Sequence, residues 1–246
     1  MEILAIGNSF SQDATRYLHR IARAEGVHLN VTNLYIGGCS LERHYRNMLS
    51  GERAYELECN GERTGFRVSL EEALYNRKWD AVTIQQVSHE SIDPETFRPY
   101  IFALADMIRK YAPKAKLLLH ETWFYEQSSY RLTEELGFPT EKAMLEKIQA
   151  SYAQTAREIG ADGIIPSGTL FGKLREAGIP KLHRDTFHAS YGLGRYALGL
   201  LWYRYLTGNK VAENPFADPD EPISQEEYTI SKKCVDEFSI IEFVCK

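Results

Sequence analysis

Four of the five residues from Glu2 to Ile6 are apolar, and the chain then turns through Gly7-Asn8-Ser9 into SQDATRYLHRIARAEG, where apolar positions recur at helical spacing. This reads as a short buried strand feeding a helix over Ser11 to Glu25. The alternation repeats. LNVTNLYI (29–36), DAVTIQQ (80–86), AKLLLHETW (115–123) and DGIIP (162–166) read as four further strands. Helical patterns fall between them, roughly from Arg98 to Tyr111 and from Thr140 to Ile159. In the latter, Met144, Leu145, Ile148, Tyr152 and Ile159 share one face. Strands alternating with helices predict the α/β class: a three-layer sandwich around a five-stranded, mainly parallel sheet. Ligands of such folds sit beyond the carboxyl ends of the strands, which is where Ser9 falls.

The segment joining the second and third strands is too long for a plain crossover. AYELECNGERTGFRV alternates on both sides of Asn60-Gly61, a dipeptide that favours a tight hairpin turn, so an inserted β-hairpin is expected near 54–68. It would line a substrate cleft, pair with another chain, or simply decorate the surface. Ser69 and Glu72 then have the spacing of a capping box. A helix through SYGLGRYALGLLWYRYLTG stops at Gly208, after which NPFADPDEP reads as a surface connector. The expected organisation is a main domain over 1–208, followed by a connector and helix (209–246, the helix at about 224–238) ending in the apolar IIEFVCK. That tail packs on the domain or on a partner, which leaves a homo-oligomer open.

Composition narrows the function classes. The 246 residues are 43% hydrophobic and 26% charged, with net charge −5. No basic footprint for nucleic acid is present, and no apolar run reaches membrane-span length. Met1 leads straight into the first strand with no signal-like segment, so the chain reads as cytoplasmic as written, although a secreted chain trimmed of its signal would look the same. Cys39, Cys59, Cys234 and Cys245 are scattered without a CxxC pair, which argues for reduced thiols rather than a zinc site.

Two stretches carry candidate chemistry. Ser9, at a strand-to-helix turn, faces the positive end of a helix dipole, a setting that suits a developing oxyanion; alternatively, Ser9 or Ser11 merely caps the helix. In HRDTFHASYGLGRY, Asp185 lies three residues before His188. In a turn, that spacing aims a carboxylate at the imidazole Nδ1 and leaves Nε2 as a base for a serine. Taken alone, the pair is more commonly a cap or a salt bridge. A metal site from His183, Asp185 and His188, with His120 and Glu121 adding ligands, is the competing chemistry.

Three blocks together resemble the SGNH (GDSL-like) hydrolases. GNSFS matches the nucleophile block, NLYIGGCS the block whose glycine donates to the oxyanion, and the Asp185–His188 spacing the final DxxH. GNSFS with GGCSLERH and QQVSHES is similar, more narrowly, to the DUF4886 branch. The resemblance covers residues 1 to about 208 and implies a flavodoxin-like fold that hydrolyses acyl, most plausibly acetyl, esters on carbohydrates without a cofactor. It assigns Ser9 as nucleophile, His188 as base and Asp185 as its orienter, with the oxyanion held by the N–H groups of Ser9 and Gly38. One block departs: where many members end strand three with GxND, this chain has IQQVSHES. Gln86, as the nearest amide, is favoured as third donor over His89, which an ungapped reading puts in the Asn slot. Trp123 and Tyr125, with His44, are placed to meet substrate, although core packing explains the aromatics equally well. A non-catalytic carbohydrate-binding member of the fold is the remaining alternative.

Overall fold

At the centre of the sheet lies β1 (Glu2–Gly7), flanked by parallel neighbours on both sides. Ile3 pairs with Val31 of β2 (Asn30–Tyr35) on one side and with Ala81 of β5 (Ala81–Ile84) on the other. Beyond β5 lie β6 (Lys116–His120) and β7 (Gly163–Ile165), also parallel. These five strands are the ones the alternation predicts; β1 runs one residue past Ile6, and the other four are shorter than their apolar patterns. The computed structural model describes residues 1–238, so the apolar end IIEFVCK and Cys245 lie outside the described residues.

The hairpin is present as β3 (Tyr55–Cys59) and β4 (Glu62–Val68), but it is not a separate decoration. β3 pairs antiparallel with β2, which makes one seven-stranded sheet in the order β4-β3-β2-β1-β5-β6-β7. Buried polar contacts hold it there: Asn33 of β2 donates to Glu58 of β3 at 2.7 Å, and Gln12 donates to the same carboxylate. Asn60 and Gly61 at the turn both have positive φ (54° and 84°). A Cβ on Gly61 would stand 2.2 Å from the Arg16 carbonyl, so glycine is required there on two counts.

Nine helices cover the faces among the described residues: α1 (Ser9–Thr15), α2 (Leu18–Ala24), α3 (Leu41–Ser50), α4 (Leu70–Tyr75), α5 (Tyr100–Tyr111), α6 (Glu141–Ile159), α7 (Ser167–Glu176), α8 (Leu193–Thr207) and α9 (Gln225–Asp236). The single helix expected over Ser11 to Glu25 is two, broken at Arg16-Tyr17, where the hairpin turn presses on the Arg16 backbone. Ser69 and Glu72 form a complete capping box on α4. α8 is buried on nearly every side, packed against α1 and α2, and α9 lies against α7 and α8. Among the described residues no helix is long and apolar enough to cross a membrane.

Parallel register brings chemistry to one edge. Gly7 ends β1 level with Tyr35 of β2, so the turn holding Ser9 and the Gly37-Gly38 loop leave the sheet side by side.

Candidate active site

Gly7 allows the first turn. A Cβ there would lie 2.6 Å from Ser11 Oγ and 2.8 Å from Gln85 Oε1. Asn8 follows in extended conformation and is the N-cap of α1, its Oδ1 accepting from the Phe10 N–H at 3.0 Å. The cap is therefore neither Ser9 nor Ser11. Ser11 Oγ is buried against the Asn8 carbonyl and Asn33 Oδ1. Asn8 Nδ2 also donates to the Cys39 carbonyl at 3.0 Å, tying the Gly38 loop to the Ser9 turn.

Ser9 Oγ lies 2.8 Å from His188 Nε2, and His188 Nδ1 lies 2.7 Å from Asp185 Oδ2. Asp185 Oδ1 accepts from the His188 backbone N–H at 2.9 Å, so one carboxylate fixes both the turn and the ring. Partial burial by itself would raise the Asp185 pKa; hydrogen bonds from the His188 ring and backbone outweigh it and hold the carboxyl below its usual range. Nδ1 is thereby kept protonated and Nε2 faces Ser9 as acceptor. Thr186, between the two residues, has φ 73°, a left-handed conformation costly for a β-branched side chain. Its carbonyl accepts from Glu126 N–H at 2.7 Å, and Trp123 Nε1 donates to the Phe187 carbonyl at 2.8 Å, which anchors the turn from the β6 side.

Ser9, Gly38, His89, Tyr125, Arg131 and His188 are among the residues that line one cavity of about 310 Å³. Gly38 has φ 60°. Tyr125 Oη hydrogen-bonds Ser88 Oγ at 2.7 Å in its wall.

Four expectations need correction. Gln86 is fully buried and does not point at Ser9: its Oε1 accepts from Leu41 and Val87 N–H, each at 2.9 Å, while Nε2 donates to the Thr96 carbonyl at 2.9 Å. Of the two side chains weighed as third donor, His89 is the one at the cavity. Trp123 is fully buried and stacked on Phe10 at 4.0 Å, so it supports the site from behind rather than meeting substrate. His44 is a core residue, hydrogen-bonded to Tyr55 Oη at 2.9 Å, and burial pushes its pKa down to about 3. Finally, His183 does not join Asp185 and His188 as a ligand set. Its Nε2 contacts the Phe124 carbonyl at 3.0 Å and its Nδ1 lies 3.5 Å from Glu126. Among the described residues no group of three or more His, Cys, Asp or Glu is arranged to hold a metal ion.

Other participants escaped sequence reasoning. Gln85 donates to Asn8 Oδ1 at 2.9 Å and bonds His120 Nδ1 at 2.8 Å; His120 Nε2 meets Ser167 Oγ at 3.0 Å. Burial pushes the His120 pKa down to about 3, so this relay behind the Ser9 turn is neutral. Asp13, one turn beyond Ser9 on α1, is paired with Arg184 and Arg195. A usable signal for the ion pair was the placement of Asp13 four residues after Ser9 and of Arg184 just before Asp185. Burial raises the Cys39 thiol to about 12, which removes it as a nucleophile.

The sequence profile of a family described as "Domain of unknown function (DUF4886)" matches residues 2–236. A crystal structure of a DUF4886 family protein from Bacteroides uniformis is 32% identical with a TM-score of 0.89, covering 96% of this chain and 93% of that one. The acetylxylan esterase Axe2 from Geobacillus stearothermophilus superposes with a TM-score of 0.53 at 13% identity, over 82% of this chain and 90% of its own. A member of the lipolytic G-D-S-L family from Veillonella parvula gives 0.50 at 13% identity, over 83% and 96%. At these low identities the last two show a shared fold. No curated protein matches the chain.

Proposed function

Because the chain belongs to the DUF4886 family and has the fold of the SGNH hydrolases, we propose that it is a serine esterase that removes acyl groups, acetyl foremost, from carbohydrate or similar alcohols. One observation carries this reading: Ser9 Oγ, His188 and Asp185 stand in an unbroken relay of 2.8 and 2.7 Å at the wall of a cavity.

The chemistry follows from the geometry. His188 Nε2 takes the Ser9 proton as Oγ attacks the ester carbonyl, and Asp185 steadies the imidazolium that forms. The tetrahedral oxyanion is held by the N–H groups of Ser9 and Gly38, with His89 as the side-chain donor available at the cavity. His188 then gives its proton to the departing alcohol, and a water activated by the same Nε2 releases the acid from Ser9. Acetyl as the acyl group is supported by the shared fold with an acetylxylan esterase.

The test is hydrolysis of 4-nitrophenyl acetate and of acetylated xylan by the purified chain without added metal. Ser9→Ala, His188→Ala and the double variant should fall to a similar residual rate, because the two groups act as one unit. A fluorophosphonate probe should label the wild type and not Ser9→Ala. Full activity in Ser9→Ala, or activity abolished by chelator and restored by zinc, sinks the serine mechanism.

A further inference from the structure

Among the described residues, Arg131 is the only permanently charged side chain in the wall of the cavity beside Ser9, and no carboxylate contributes to that wall. It opens a single π-helical turn, Arg131–Glu135, a kind of irregularity found frequently at functional sites. The guanidinium carbon lies 4.8 Å from the centroid of the Phe187 ring, and that ring lies 4.1 Å from the His188 ring. The cation is thus held at a fixed remove from the catalytic base by one aromatic plate.

Its protein partners do not fill the fork. Glu135 comes no closer than 3.7 Å and is half-exposed, the Tyr130 side chain is itself 59% exposed, and the buried Tyr125 hydroxyl, already paired with Ser88, is the one enclosed partner. A guanidinium offers five donors in a plane that fits a carboxylate with two parallel bonds. At about 310 Å³ the cavity is at the small end for ligand sites. A substrate engaged at Ser9 would therefore bring its far end within the cavity that Arg131 walls. The Arg131 side chain is 39% exposed, so a neutral ester would gain little from it, whereas an anion would meet it with charge-assisted bonds.

We propose that the substrate is an acidic ester, carrying a carboxylate on the part away from the scissile bond, and that Arg131 binds that carboxylate. This rests on Ser9 being the nucleophile of an esterase. The carboxylate can belong to the alcohol, as in an acylated sugar acid, or to the acyl group, as in a hemiester. Both present the same anion to Arg131.

Two matched pairs separate these sources: 4-acetoxybenzoate against its methyl ester, and 4-nitrophenyl hemisuccinate against 4-nitrophenyl butyrate. The full chain should favour the charged member of at least one pair in kcat/KM, and Arg131→Gln should collapse that preference by tenfold to a hundredfold, as expected for loss of a charge-assisted contact. The responding pair identifies which side carries the anion. No charge preference in either pair, or an equal loss on charged and neutral esters in Arg131→Gln, overturns the proposal. If the chain cleaves no ester, the esterase reading fails and the anion site is judged by calorimetry with 4-acetamidobenzoate, an uncleaved analogue. Binding weakened at least tenfold by Arg131→Gln keeps the anion site; equal binding in both, or none, removes it.

Discussion

Asp13 joins the helix that begins at Ser9 to the turn that carries His188, and Asp13→Asn tests whether that junction holds the two in register. The carboxylate is fully buried. Its oxygens accept from Arg184 Nη1 at 3.0 and 2.9 Å and from Arg195 Nε at 2.8 Å. On neutralising it, Arg195 keeps Asp220 at 3.2 Å, whereas Arg184 is left with the Ala189 carbonyl and the Tyr191 ring. Removing one partner of a buried ion pair costs about 3–5 kcal/mol, because the other charge is stranded. The Arg184 side chain is 18% exposed and can draw in water, so the low end, about 3 kcal/mol, applies. For a chain of this size that lowers the melting temperature by about 6–12 °C in circular dichroism. Arg184 precedes Asp185 directly, and its N–H donates to the His188 carbonyl at 3.0 Å. A loosened Arg184 therefore moves the base, and kcat on an aryl acetate should fall tenfold or more at a temperature where both proteins are folded. A melting temperature unchanged within about 1 °C would refute the energetic argument. A lowered melting temperature with unchanged kcat would show that the turn is positioned from the Trp123 and Glu126 side alone.

Gln86 and His89 should behave oppositely to the sequence expectation. His89→Ala should lower kcat by about two orders of magnitude if the ring is an oxyanion donor, while Gln86→Ala should act mainly on stability, costing about 1–3 kcal/mol by stranding the buried Leu41 N–H. The reverse ranking in activity and thermal-melt assays would return the donor role to the amide. Glu121, buried behind the site where it accepts from Thr169 N–H at 2.7 Å, gives a pH test. Burial raises its pKa to about 7 despite the N–H and hydroxyl donors around it. Between its ordinary value of 4.5 and about 7, the unfolded state is ionised while the folded state still binds the proton. Stability is therefore lost as pH rises through that window, by about 3 kcal/mol in all. Glu121→Gln should gain on the wild type by roughly that amount between pH 5 and pH 8 in denaturant titrations; an equal difference at both pH values would mean that Glu121 stays charged.

Local patterns made part of this molecule legible. The five parallel strands follow from apolar runs bounded by turns, and the contact between Asp185 and His188 needs only three residues of separation in a turn. What depends on distant partners was not legible. The hairpin's place in the sheet is set by Glu58 meeting Asn33 and Gln12, residues far away in the chain. The break after Thr15 falls where Gly61 of the hairpin turn comes up against the Arg16 backbone. Trp123 and His44 look like cleft residues because polar and aromatic groups at strand ends often are; here Phe10 and Tyr55 enclose them. Ser9 and His188 lie 179 residues apart, and periodicity could not pair them. The setting of Ser9 at a strand-to-helix turn and the Asp185–His188 spacing suggested the pair, and the block resemblance assigned it.

The replacement of GxND by IQQVSHES alters where polar groups are spent at the end of β5. The two glutamine amides do not reach the cavity as donors; they brace the backbone donors already there. Gln85 grips Asn8, the residue that caps α1 and holds the Cys39 carbonyl, while Gln86 grips the first N–H of α3, just past the Gly38 loop. Each of the two proposed oxyanion N–H groups is thus one or a few bonds from a buried amide that has little freedom to move. A preorganised dipole stabilises a developing charge without reorganising during the reaction, so rigidity at Ser9 and Gly38 would supplement whatever the His89 ring donates. Gln85 also bonds His120, a neutral buried imidazole with both nitrogens engaged. The brace therefore runs from the Ser9 turn to the start of α7, through groups that stay neutral at any pH well above about 3.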